Sequence, residues 1–132
     1  MPKIVSPVDI SLEEKECRKD YFDRHTPVIE CPDSVKEGEK FAVKVKVGQT
    51  YLHPDEADHH IGFIQLWNIE TMVASVQIGH GFTGTKPGQI EIDFYLVARL
   101  SMKLTALSYC TKHGLWSSHP KTVKVQHEND PT

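Results

Sequence analysis

Alternation of apolar and polar residues recurs along this chain and leaves few folds open to it. Phe41, Val43, Val45 and Val47 alternate with Ala42, Lys44 and Lys46, so an extended segment there has one apolar and one solvated face. Ile90, Ile92, Phe94 and Leu96 repeat the pattern, and Val123 with Val125 closes it. The period of two begins near Thr26. Ile61 to Ile69 is apolar enough for a central strand, Met72 to Ile78 for a second, and Leu104 to Tyr109 for another. Between these runs lie turn formers: Pro32-Asp33-Ser34, Lys36-Glu37-Gly38, Gly79-His80-Gly81 and Gly84-Thr85-Lys86-Pro87-Gly88. About seven strands at this spacing predict an all-β chain, a seven-stranded immunoglobulin-like antiparallel β-sandwich. Ser11-Leu12-Glu13-Glu14 has capping-box spacing and predicts one short helix to about Arg18, with no second helix after it.

The 132 residues suit one domain with its own core. Residues 1–22 read as an N-terminal extension, irregular at first, that covers an edge strand or joins a subunit contact. Residues 23–127 read as the domain and 128–132 as a tail. With 25% charged and 39% hydrophobic residues the chain is globular rather than disordered or membrane-embedded. A net charge of −3 with no basic stripe excludes a typical nucleic-acid binder. No apolar run is long enough to span a bilayer, and Met1 to Pro7 lacks the apolar centre of a signal peptide, which predicts a cytoplasmic protein. Cys17, Cys31 and Cys110 are odd in number. They fit free thiols, or a thiolate on a metal, better than a disulfide framework.

His25, His53, His59, Cys110 and His113 stand out as candidate ligands. A lone loop histidine is usually solvated and a lone cysteine is usually a small buried hydrophobe. Here, however, His-x5-His and Cys-x2-His occur in one short chain, at strand ends and in loops where binding residues concentrate. His25 is expected on the loop leading into the first strand. Cys110 and His113 bracket a strand end that opens into a tight turn at Gly114. His60, next to His59 on a strand, should point the other way as a supporting or core residue. His80, His119 and His127 have no partner spacing and read as structural or exposed, and Trp67 and Trp116 read as packing. Four imidazoles and one thiolate exceed the tetrahedral shell of structural zinc, whereas five ligands with a sixth position open suit iron. A blue-copper site would want a Met soon after His113, but Leu115-Trp116-Ser117-Ser118-His119 follows.

Three segments resemble the superoxide reductases of one-iron neelaredoxin type, related to the catalytic domain of desulfoferrodoxin. They are Asp23-Arg24-His25-Thr26-Pro27-Val28-Ile29, His53-Pro54 with His59-His60-Ile61, and Leu107-Ser108-Tyr109-Cys110-Thr111-Lys112-His113-Gly114-Leu115-Trp116. No Cys-x2-Cys pair of a rubredoxin-like domain accompanies them. The resemblance implies one Fe(II)/Fe(III) per chain in a square pyramid. His25, His53 and His59 would bind through Nε2 and His113 through Nδ1 as equatorial ligands, with Cys110 axial. It implies one-electron reduction of superoxide to hydrogen peroxide, a rubredoxin-like electron donor, and a homo-oligomer, with a tetramer favoured. The family usually carries Glu-Lys before its first His. Asp23, one methylene shorter, is then the candidate for the sixth position, and Arg24 keeps the steering charge while being a poor proton donor. Lys112 stands where the family commonly has an apolar residue and is a candidate to replace part of the missing lysine's role.

Overall fold

The structure, a computed structural model, describes residues 4–128. Its elements are β1 (Ile4–Val5), a 3-10 turn (Pro7–Asp9), α1 (Leu12–Cys17), α2 (Lys19–His25), β2 (Pro27–Glu30), β3 (Ser34–Lys36), β4 (Lys40–Val47), β5 (Ile61–Asn68), β6 (Thr71–Gln77), β7 (Ile90–Val97), β8 (Met102–Cys110), β9 (Gly114–Ser117) and β10 (Lys121–Gln126). Apart from Glu128, the expected tail lies outside the described residues.

The immunoglobulin-like sandwich expected from the alternation is present. A three-stranded sheet, β2-β4-β7, packs on a seven-stranded one centred on β8, which pairs with β5, β9 and β10. The seven predicted strands correspond to β2, β4, β5, β6, β7, β8 and β10, and three short strands are added. Two of these break the antiparallel rule: β1 runs parallel to β9, and β3 runs parallel to β10. Both are edge additions made by segments distant in sequence, so no local alternation announces them. Through β1 the N-terminal extension covers an edge, one of its two expected roles.

The inward residues form one core. Val43, Val45 and Val47 of β4 face Ile64 and Leu66 of β5 and Leu104 and Ala106 of β8, all fully buried. A register shift between Ile61 and Phe63 lets both Ile61 and Ile64 point inward, three positions apart. On β8 the inward row runs Leu104, Ala106, Ser108, Cys110, so strand parity alone delivers the thiol into the core.

The helical part departs from expectation. Ser11 caps α1 as predicted, its hydroxyl accepting the Glu14 amide at 3.1 Å. After a break at Arg18, however, a second helix runs to His25. Its sequence, Lys-Asp-Tyr-Phe-Asp-Arg-His, has no apolar period. It is held by packing of its aromatics, with Tyr21 and Phe22 edge-on to the buried Trp116 ring at 5.1 and 5.8 Å.

Candidate metal centre

His25 is the last residue of α2 rather than part of a loop, and it is 1% exposed. Two contacts fix it. Its Nδ1 donates to the Tyr21 carbonyl at 2.7 Å, and its own carbonyl accepts the buried Ser108 hydroxyl at 2.8 Å, tying the helix end to β8. The ring stacks on Trp116 at 4.8 Å. His53, also 1% exposed, donates from Nδ1 to the Pro54 carbonyl at 2.7 Å. In both residues the Nδ1 bond selects the tautomer and leaves Nε2 with its lone pair free.

The four rings stand at the corners of a square. His25–His53, His53–His59, His59–His113 and His113–His25 are separated by 5.0, 5.1, 4.9 and 4.8 Å, each pair edge to face. His25 and His59, across the square, lie nearly parallel at 6.5 Å. The Nε2 atoms of His25, His53 and His59 are buried with no hydrogen-bond partner. The donor atoms of these three and the Cys110 Sγ all lie within 4.8 Å of one another. His113 presents Nδ1 to the same sulfur at 3.7 Å. Orphaned polar atoms are costly in a folded interior, and several converging on one point need a shared partner. The donor set fits a cation that takes imidazole and thiolate together.

The thiol arrives at the end of β8, and the turn to β9 is closed by Gly114 at φ +85°, which side chains rarely adopt. The amides of Lys112 and His113 hydrogen-bond the sulfur. Burial pushes the Cys110 thiol up against these amides and the nearby Lys112 charge. Burial, joined by repulsion from the other histidines, lowers His25 and His53 to about 4. It also lowers His59 and His113, with Lys112 adding to both and Arg18 to His113. The imidazoles are therefore neutral at neutral pH, the form that ligates metal.

The remaining expected residues sit as follows. Lys112 is exposed in the turn, and its charge bears on His59, His113 and Cys110. Arg24 donates from Nε to the Leu52 carbonyl at 3.0 Å and acts electrostatically on His53. The structure does not bring Asp23 into the cluster. Its Oδ2 accepts the amides of Thr50 and Tyr51, both at 2.8 Å. His60 precedes β5 instead of lying in it, is only half-buried, and donates to the Glu56 carbonyl at 2.9 Å, so it is not a core residue. Sequence reasoning missed Arg18 and Tyr21. The Arg18 guanidinium lies over the Tyr21 ring at 4.1 Å, and that ring meets His113 at 5.3 Å. The advance signal was their distance of seven and four residues before His25, which has meaning only once α2 is known.

The family model for desulfoferrodoxin matches residues 14–119, an interval that contains all five cluster residues. The chain belongs to the desulfoferrodoxin family. Among its relatives is a superoxide reductase of Thermococcus kodakarensis, 37% identical over 103 residues, covering 73% of this chain and 84% of that one. A neelaredoxin of Megalodesulfovibrio gigas is 32% identical over 109 residues, with the same coverage. A solved superoxide reductase (neelaredoxin) from Ignicoccus hospitalis superposes with a TM-score of 0.70 at 32% identity, covering 93% of this chain and 95% of that one. The fold seen here is thus shared with the solved neelaredoxin.

Proposed function

We propose that the protein is a superoxide reductase, with an iron ion held by the imidazoles of His25, His53, His59 and His113 and the thiolate of Cys110. The reaction balances as one superoxide, one electron and two protons giving one hydrogen peroxide. The observation that carries this reading is the square of imidazoles, three of them with unpartnered buried Nε2 atoms, converging on a buried thiol. Iron held there would supply one-electron Fe(II)/Fe(III) chemistry, and the Cys110 thiolate would increase its electron-donating power.

The chain's own residues do the rest. The Tyr21 and Pro54 carbonyls hold His25 and His53 in the tautomer that offers Nε2. The amides after Cys110 stabilise its sulfur as an anion. Arg24 and Lys112 place positive charge beside the histidines of a chain whose net charge is −3, which favours the approach of a small anion there. A guanidinium is a poor proton donor, so protons reach the product from water. Asp23 serves as an anchor for the 50–51 backbone. The electron comes from a rubredoxin-like protein, and the chain works as a homo-oligomer in the cytoplasm. These readings are supported by the family resemblance and by Cys17 and Cys31 standing as free thiols.

Metal analysis with an optical spectrum tests the proposal. About one iron per chain is expected, with a visible thiolate-to-iron band that reduction bleaches and superoxide restores. Zinc or no metal, with no such band after reconstitution with iron, would overturn it. In the same assay Lys112→Ala should slow superoxide association about two- to tenfold at low ionic strength and flatten its salt dependence. A rate and salt slope equal to the parent's would remove Lys112 from the mechanism.

A further inference from the structure

The glycine-rich segment 79–88 is folded against the loop that carries His53 and His59, and Asp55 is the point of attachment. Asp55 is 4% exposed. Its Oδ1 accepts the Gly81 amide at 2.8 Å, and its Oδ2 accepts those of Thr83 at 3.0 Å and Thr85 at 2.9 Å. The Thr83 hydroxyl is shared between this carboxylate at 3.2 Å and the Lys86 carbonyl at 2.8 Å. Positive φ at Gly81, Gly84 and Thr85 produces the curl that turns alternate amides inward, a concave cradle for one anionic group.

A second grip lies two residues away. His53 and Gly88 exchange both backbone hydrogen bonds, each at 3.0 Å. Gly88 is required there, because a Cβ would stand 2.7 Å from the Thr83 Cβ. Thr83 therefore packs on one grip and bonds to the other. The segment 81–88 acts as a clasp holding the loop at His53 and at Asp55.

We propose that Asp55 is a positioning residue for the metal centre. By closing this clasp it fixes the backbone of the His53 loop, and with it the direction in which the His53 Nε2 points. The inference rests on the reading above that the cluster binds a metal. It concerns a residue that touches neither metal nor substrate and acts only through the loop it holds.

The test uses Co(II) as a spectroscopic probe, bound to the reduced metal-free chain in competition with a chelator. Asp55→Ala should bind Co(II) about 10–100-fold more weakly than the parent, the usual consequence of removing a group that orients a ligand. Asp55→Asn should fall between them. Its carbonyl still serves the Thr83 and Thr85 amides while its NH₂ confronts that of Gly81. The Co(II) spectrum should shift in both variants, a change that a general loss of stability would not produce. Should Asp55→Ala fail to fold, Asp55→Asn carries the same comparison. Binding within about twofold of the parent, with an unchanged spectrum in either folded variant, would overturn the role of Asp55. A parent chain that binds Co(II) without a thiolate band would instead overturn the reading of the centre, and this inference with it.

Discussion

Replacing Cys110 by serine is expected to abolish the visible thiolate band and to lower superoxide reduction by on the order of a hundredfold or more. Loss of a group that merely supports a ligand already costs about 10–100-fold, and here the proposed ligand itself is removed. The physical argument lies in what the position supplies. Cys110 is fully buried at the end of an inward row of β8, directly beside the His113 imidazole. A thiolate there is a soft, polarisable anion, and serine offers only a neutral hydroxyl that does not ionise at working pH. The fold should survive. The amides of Lys112 and His113 that point at the sulfur can donate to a hydroxyl, so the smaller side chain is not left unsatisfied. Metal content, optical spectrum and far-ultraviolet circular dichroism on the same sample separate loss of ligand from loss of fold. A folded serine variant with the parent's band and rate would exclude Cys110 as the ligand.

Cys110 also shows which parts of the molecule can be read from sequence. The alternation that predicts β8 carries the inward row on from Leu104 through Ala106 and Ser108, so the thiol's burial follows from parity. The Cys-x2-His turn is equally local, closed by Gly114. His25, just before Pro27, reads as part of the loop into the first strand, and nothing in Lys19 to Arg24 has a helical period that would say otherwise. The helix exists because Tyr21 and Phe22 find Trp116, a contact spanning more than ninety positions that no window can see. The spacing of His53 and His59 indicated proximity. The square they form with His25 and His113 depends on ring orientations, and those of His25 and His53 are fixed by backbone carbonyls. Asp55 carries no local signal, because its partners lie 26 to 30 residues ahead.

The metal-free protein should lose stability steeply as the pH falls from about 6.5 to about 4. His25 and His53 are each 1% exposed and are lowered from 6.5 to about 4, chiefly by burial, with further repulsion from the neighbouring imidazoles. The unfolded chain accepts protons below pH 6.5 that the folded chain refuses until near pH 4, so acid favours the unfolded state throughout that window. Each histidine contributes a slope of at most about 1.4 kcal/mol per pH unit, and His59 and His113 shift in the same direction. Against a total stability of about 5–15 kcal/mol this is a large fraction, so the metal-free chain should be markedly less stable near pH 4 than near pH 6.5. Bound metal engages the neutral imidazoles and opposes the effect, so the loaded protein should tolerate acid until the metal is released. Urea unfolding of the metal-free chain at several pH values across the window measures the slope directly. His53→Gln, which removes one of the two strongly shifted groups, should flatten it. A metal-free midpoint that stays constant between those pH limits would mean the imidazoles are not held neutral, and the buried square of free Nε2 atoms would have to be abandoned with that result.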